Sequence, residues 1–124
     1  MKTALAKFIR VVRKTERIRD LINEGKARTW VSECEHALLT LANRQRVIVK
    51  GGRDGIDFIS RSDTLLVEVE GHEMQVRRIM GHTHPRVTGP SDHDLKVLSL
   101  LWQKRSYIFE VGGESVGTRI FPKG

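Results

Sequence analysis

The sequence of 124 residues predicts an α/β fold, in which helices flank a mixed β-sheet as a sandwich, within a single domain over residues 1–124. Two patterns support this fold class. Apolar residues recur at three- and four-residue steps near the N-terminus and again over residues 92–102, as in amphipathic helices. The other segments are short runs rich in β-branched and aromatic residues, separated by turn residues. A chain of this length has room for one hydrophobic core.

The first element is predicted to be an N-terminal amphipathic helix over residues 3–24. Lysines and arginines separate its apolar residues, which are Ala4, Phe8, Val11, Ile18, Leu21 and Ile22. Gly25 follows at the position where a helix C-terminal stop is expected. We therefore expect a helix that packs one stripe against the core and exposes its basic side chains.

The rest of the chain predicts strands and one further helix. Strands are expected at 36–42, 46–50, 56–60, 64–70, 74–81, 106–111 and 118–121, with turns at 51–55, 71–73 and 112–117 and a loop at 85–90. Ser91 is a candidate helix N-cap, and Asp92 and Asp94 lie in the first turn, where the helix dipole favours acids. The buried stripe of this second helix is predicted to be Leu95, Leu98, Leu101 and Trp102. The order helix, strands, helix, hairpin is that of an α/β sandwich.

Positive charge is concentrated near the N-terminus. The net charge is +7, and residues 1–28 contain nine lysines or arginines against three acids. Such a segment can attract nucleic acid, an anionic membrane surface or an acidic partner. More often it is the solvated face of an amphipathic helix, so nucleic acid is the less favoured partner.

Composition also limits location and redox chemistry. The sequence has no run of the roughly 20 apolar residues that a membrane span needs, and charges interrupt the N-terminal apolar run too often for a secretory signal. A cytoplasmic location is expected, unless the chain is delivered as part of a larger protein. The single cysteine, Cys34, excludes an intramolecular disulfide and a multi-cysteine zinc site. We expect it to be a small buried residue.

The segment with the clearest chemistry is Gly81-His82-Thr83-His84-Pro85, followed by Ser91-Asp92-His93-Asp94. His82 and His84 lie at the end of a predicted strand, where residues two apart project from the same side. Asp94 lies one turn into the next helix, and its carboxylate can join the two imidazoles if the loop 85–90 folds back. Asp92 and His93 point away from this side, and we expect both to be exposed.

Two histidines and one carboxylate favour a catalytic zinc site. They leave a fourth tetrahedral position open for water, unlike a closed structural site. Zinc lowers the pKa of such a water to about 7 and polarises the carbonyl under attack. The Ser91 hydroxyl is a candidate for stabilising the developing oxyanion.

The pattern His82-Thr83-His84-Pro85 followed by Pro90-Ser91-x-x-Asp94 resembles the signature of the JAMM (MPN-plus, JAB domain) zinc metalloproteases, in their bacterial form. The resemblance implies a JAMM/cytidine-deaminase-like sandwich, with a mixed sheet between the N-terminal helix and the helix after the metal motif. It also implies that His82, His84 and Asp94 bind Zn²⁺ and that Ser91 assists the tetrahedral intermediate. A glutamate on the first strand is the general acid/base in that family. Glu35 is the favoured match, because it directly precedes the apolar strand. Glu33 is the alternative for the same role.

The resemblance also sets expectations for substrate and partners. Members of the family remove ubiquitin-like modifiers or trim peptides, so hydrolysis of a peptide or isopeptide bond is expected. Related bacterial domains occur in polymorphic toxins, and an effector or toxin domain would have an immunity protein as a partner. Two alternatives are a RadC-like module associated with nucleic acid and a scaffold that keeps the JAB fold without catalysis. A scaffold would be expected to lose a ligand, whereas all three are present.

Overall fold

The computed structural model describes residues 3–86, 89–111 and 118–121, and for 118 and 119 it describes the backbone. The elements in chain order are β1 (Thr3–Leu5), β2 (Lys7–Val12), α1 (Ile18–Ser32), β3 (His36–Leu41), β4 (Arg46–Lys50), β5 (Gly55–Asp57), β6 (Ile59–Arg61), β7 (Thr64–Val69), β8 (His72–His84), α2 (Asp92–Leu100), β9 (Ser106–Glu110) and β10 (Thr118–Ile120). The predicted turn at 112–117 and part of the loop at 85–90 lie outside the described residues.

The main sheet has the strand order β10-β9-β8-β3-β4-β2, and β7 pairs with the outer half of β8 and with β6. Strands β8 and β9 are parallel, and the other pairs in this sheet are antiparallel. A separate parallel pair joins β1 to β5. The predicted mixed α/β fold is therefore confirmed at the level of fold class.

The two helices lie on opposite faces of the sheet. Ala37 and Leu39 of β3 belong to the same apolar cluster as Val97 of α2, whereas Leu38 packs with Leu21 of α1. Since successive residues of a strand face opposite sides, α1 and α2 cover different faces. No helix in the described parts of the chain is long and apolar enough to cross a membrane.

The predicted helix over residues 3–24 is wrong for residues 3–17: β1 and β2 occupy Thr3–Leu5 and Lys7–Val12, and α1 begins only at Ile18. A β-bulge between Phe8 and Arg10 explains the error. It allows Phe8 and Val11, three residues apart, to pack against the same core cluster. A bulged strand therefore imitates the three-residue spacing of a helix.

Two further details of the helices differ from expectation. Gly25 does not end α1 but lies within it, where the helix approaches β8; a Cβ on Gly25 would lie 3.4 Å from Cγ2 of Thr83. Trp102 is not buried but 93% exposed, because α2 ends at Leu100 and the chain reverses at Trp102 with a φ of 55°. The reversal turns Gln103 inward instead.

Candidate metal centre

His82 and His84 lie at the C-terminal end of β8, and both are buried. A β-bulge in β8 sets the face of the sheet on which the two histidines lie, since Leu38 pairs with Gly81 but Leu39 pairs with Ile79. Gln103 holds the strand there: its Oε1 accepts from the Ile79 amide at 2.8 Å, and its Nε2 donates to the Ile79 carbonyl at 2.5 Å. The end of β8 therefore presents both imidazoles towards α2, on the face of the sheet that Ala37 shares.

Asp94 reaches the histidines because a capping box fixes the first turn of α2. The Ser91 Oγ accepts from the Asp94 amide at 3.1 Å, and the Asp94 Oδ2 accepts from the Ser91 amide at 3.0 Å. Such reciprocal bonds satisfy free amides at a helix start and fix both side chains. The Asp94 side chain is 7% exposed.

Glu35 enters the same group from the segment between α1 and β3. Its backbone pairs with the segment that follows β4: the Glu35 amide donates to Gly52 at 2.9 Å, and Gly51 donates to the Glu35 carbonyl at 2.8 Å. The Glu35 side chain is 5% exposed, and its Oε1 is buried without a hydrogen-bond partner. The Glu33 side chain points away from this group. Glu33 caps α1 in the left-handed conformation, and its side chain is 68% exposed.

The structure brings Glu35, His82, His84 and Asp94 together, with one donor atom of each within 4.8 Å of the others. The two histidine Nε2 atoms are 2.9 Å apart. The Asp94 oxygens lie 3.3 Å from His82 Nε2 and 3.4 Å from His84 Nε2. The Glu35 oxygens are farther, at 3.9 Å and 3.6 Å from the same two atoms. This buried group could bind a metal ion.

The charges in this group are strongly coupled. Burial raises the pKa of Glu35 to about 8, against a partial lowering by His84. Burial also opposes ionisation of Asp94, but hydrogen bonds from His82 and His84 outweigh it and hold the pKa of that carboxyl well below its usual range. For His84, burial lowers the pKa, yet the bond to Asp94 and the nearby Glu35 raise it overall. Asp94 is thus a carboxylate, whereas Glu35 can hold a proton near neutral pH.

A buried hydroxyl network supports the histidine strand from the opposite face. Thr83, between the two histidines, hydrogen-bonds to Thr29 of α1 and accepts from the His36 amide at 3.2 Å. The Thr29 Oγ1 also lies 3.0 Å from His36 Nδ1. Burial lowers the pKa of His36, so its ring is neutral, and Nδ1 donates because the Cys34 carbonyl at 3.1 Å can only accept. The sequence patterns considered above did not indicate this network.

A cleft of about 770 Å³ opens above the buried group. Its lining includes the buried Glu35 and His84, with Trp30, Arg53, Arg86 and Ser91 around them. The Ser91 hydroxyl accepts a bond from Asp94 but keeps its own proton for a ligand. Glu33 also lines this cleft, although it does not join the four donors.

Three other residues named in the sequence analysis lie outside the group of four donors. His93, expected to be exposed, is half-buried; its Nε2 lies 2.9 Å from the Ile56 carbonyl and 3.4 Å from an Asp57 oxygen, and so joins α2 to β5. Asp92 is exposed as expected. Cys34 is half-buried rather than fully buried.

Comparison with protein family models, with curated proteins and with solved structures finds no match for this chain.

Proposed function

We propose that the chain is a zinc-dependent hydrolase that cleaves a peptide or isopeptide bond, as do the JAMM metalloproteases that its motif resembles. The observation that carries the proposal is the convergence of four buried donor groups, two of which, Glu35 and His84, line one cleft. Two imidazoles and one carboxylate are a donor set of catalytic zinc, which keeps a position open for water or substrate. His82, His84 and Asp94 are the residues that would hold the ion.

The spacing of these three side chains supports zinc. Ligand atoms at about 2.0–2.1 Å from a tetrahedral zinc ion are roughly 3.3 Å from one another. The histidine Nε2 atoms are 2.9 Å apart, and Asp94 offers Oδ1 to His82 at 3.3 Å and Oδ2 to His84 at 3.4 Å. Small adjustments of the imidazole rings would therefore suffice to bind the ion.

Glu35 is better suited to moving protons than to holding the ion. Its oxygens are farther from the histidines than those of Asp94, and Oε1 has no protein partner. A buried carboxylate with a free oxygen can accept a hydrogen bond from a water in the cleft. Glu35 is therefore placed to take a proton from water and to return it to the leaving amine.

The zinc ion, the Ser91 hydroxyl and the cleft would also suit hydrolysis of an amide. When bound, zinc supplies Lewis acidity, which acidifies water and polarises a carbonyl. Ser91 lines the cleft with a hydroxyl proton that can be donated to the oxygen of the carbonyl under attack. The cleft volume lies within the range of ligand sites, which is roughly 300–1,000 Å³.

The test combines metal analysis with a cleavage screen. The full chain is stripped with a chelator, reloaded with zinc and incubated with ubiquitin-like conjugates joined by isopeptide bonds and with cell-wall peptides. We expect one zinc per chain and cleavage only after reloading. His84→Ala should lose both, because it removes a donor from the group.

The matched control is His72→Ala, which removes an exposed histidine from the other end of the same strand. It should keep the zinc content and the activity of the wild type. Equal zinc in wild type and His84→Ala would overturn the proposed site. One zinc per chain without cleavage of any substrate would overturn the hydrolase function but keep the metal site.

A further inference from the structure

A basic surface lies at the end of the molecule away from the cleft. We define it by the six side chains of Arg13, Lys14, Arg17, Arg44, Arg46 and Arg78. Five of the six are exposed, and Arg46 is half-buried. They come from the segment between β2 and α1, from the β3–β4 hairpin and from β8. The fold therefore gathers cations that are up to 65 positions apart in the sequence (13 to 78).

The sheet register explains why these cations are neighbours. Arg46 of β4 pairs with Thr40 of β3, and Thr40 pairs with Arg78 of β8. Residues in one row project from the same face, and neighbouring strands are about 4.8 Å apart, so the backbones of Arg46 and Arg78 are about 10 Å apart. Arg46 also pairs with Val12, which packs beneath α1, so this row lies on the α1 face.

Two hydrogen bonds from Arg46 hold the segment before α1 beside the row of Arg46, Thr40 and Arg78. Arg46 Nη2 donates to the Arg13 carbonyl at 3.1 Å and to the Glu16 carbonyl at 3.3 Å. This contact holds Arg13, Lys14 and Arg17 beside Arg46. Arg17 is the N-cap of α1 and makes no side-chain capping bond, and the helix dipole adds positive potential at this end.

The nearby acids do not neutralise the basic surface. Glu16 and Glu24 are both bound by Arg10, with Nη2 at 2.6 Å from an oxygen of each. Among the described residues, none of the six side chains of the basic surface forms a salt bridge with an acid. Although Glu16 also accepts from the Arg13 amide at 2.7 Å, the basic surface keeps a net positive charge, within a chain of net charge +7.

The chemistry favours the phosphates of a nucleic-acid duplex. Five of the six cations are arginines, whose planar guanidinium groups bind phosphate oxygens with two parallel hydrogen bonds. Insertion into a membrane interface needs large apolar side chains beside the cations. Among the exposed large apolar residues described, only Ile18 adjoins one of the six in the chain. Single strands are bound largely by stacking on exposed aromatic side chains. In the described parts of the chain, the aromatic residues that line a groove with Arg78 are Tyr107 and Phe109, and both are half-buried.

We infer that the basic surface binds the phosphate backbone of double-stranded nucleic acid without reading its sequence, while the cleft remains free. Arg78 precedes His84 by six residues on β8, and a strand rises about 3.3 Å per residue, so about 20 Å separates the basic surface from the buried donors. A bound duplex would therefore leave the cleft accessible. This inference does not depend on the hydrolase function.

The experiment measures fluorescence anisotropy of a labelled DNA duplex of mixed sequence titrated with the full chain. At near-physiological salt the expected Kd is about 10⁻⁴ to 10⁻⁶ M, and log K should fall with log salt with a slope of up to about −5 for six phosphate contacts. The test variant carries Arg17→Gln, Arg44→Gln and Arg78→Gln; Arg46 is kept because it binds the backbone of its neighbours. It should weaken binding at least about tenfold and reduce the slope by about 2.7.

The matched control removes the same charge elsewhere, with Lys7→Gln, Arg61→Gln and Lys96→Gln, all exposed and outside the basic surface. It should bind within about twofold of the wild type, and a scrambled duplex should bind equally well. If both triple variants weaken binding equally, net charge and not the basic surface is responsible, and the inference fails. It also fails if the chain binds vesicles of anionic lipid but no duplex, or binds neither.

Discussion

The Nε2 atoms of His82 and His84 lie 2.9 Å apart in a buried position, and an oxygen of Asp94 lies within 3.4 Å of each. The two ring nitrogens can share one N–H···N hydrogen bond, whereas the buried Glu35 Oε1 has no hydrogen-bond partner and lies 3.9 Å from His82 Nε2. Buried polar groups without partners destabilise a fold. A cation held by His82, His84 and Asp94 would lower this cost, because its positive charge would lie beside the buried Glu35 carboxylate.

We therefore expect zinc to stabilise the protein against heat. Free zinc at about one hundred times its Kd would add about 2.7 kcal/mol to the free energy of unfolding. For a chain of this size that corresponds to a rise in Tm of roughly 10 °C. Differential scanning calorimetry with and without a chelator measures it. His82→Ala should abolish the rise, and an equal rise in that variant would mean that zinc binds at another position.

A second prediction separates Glu35 from Glu33. Glu35→Gln should keep zinc and the fold but lower the rate of cleavage about 10²-fold or more, because the amide keeps the shape and loses the basic carboxylate. Glu33→Gln should retain nearly full activity, since that side chain is exposed at the end of α1. Zinc content and kcat of both variants are compared. An inactive Glu33→Gln beside an active Glu35→Gln would exchange their roles.

These two glutamates illustrate what the sequence could and could not predict. Both precede the apolar strand, and an alternating pattern assigns them to the same side. In the structure the left-handed conformation of Glu33, with a φ of 57°, ends α1 and turns its side chain outward. Glycine or asparagine usually marks that conformation, so a glutamate there gives no signal. Only Glu35 reaches the histidines.

The clustering of His82, His84 and Asp94 was easier to predict because its determinants are mostly local. His-x-His at a strand end and the Ser91–Asp94 capping box depend on spacings of two and three residues, which the strand and the helix fix directly. The N-terminal helix was wrong because a bulge depends on the partner strand, and that partner is about 40 residues away. The contact of Thr29 with Thr83 likewise spans 54 positions, and no local pattern predicts it.

A third prediction concerns pH and the metal-free protein. Burial raises the pKa of Glu35 from 4.5 to about 8. Its protonated form is favoured in the folded state, so this stabilisation is fully present below pH 4.5 and is lost as the pH rises through about 8. Glu35→Gln cannot ionise and avoids the loss, which linkage puts on the order of several kcal/mol.

Urea unfolding with a chelator present is the measurement. The stability of Glu35→Gln relative to the wild type should increase between pH 5 and pH 9. Because Glu35 also raises the pKa of His84, this difference reports the coupled titration of the two groups. Glu33→Gln, which changes an exposed glutamate, is the control and should show no such trend. A difference that stays constant with pH would mean that Glu35 is not desolvated in the folded chain.

The last prediction concerns Thr83, which positions the two histidines without facing the cleft. Its hydroxyl bonds to Thr29 and to the backbone of His36, so it links β8 to α1 and β3 behind the metal centre. Thr83→Val keeps the shape but leaves the buried Thr29 hydroxyl and the His36 amide short of a partner. We expect a loss of about 1–3 kcal/mol in unfolding free energy. We also expect zinc affinity to fall about 10- to 100-fold, as it does when groups that orient metal ligands are removed.

Three comparisons distinguish positioning of the ligands from simple loss of stability. Thr40→Val makes the same change on β3 at the far end of the sheet, and it should leave zinc affinity unchanged even if it destabilises the fold. Thr83→Ser restores the hydroxyl and should recover most of the affinity. Replacement of zinc by cobalt gives an absorption spectrum that reports ligand geometry, and Thr83→Val should shift it while Thr40→Val should not. If both valine variants lower zinc affinity equally, the hydroxyl of Thr83 contributes only to stability, and the histidines are oriented by the bulge and by Gln103 alone.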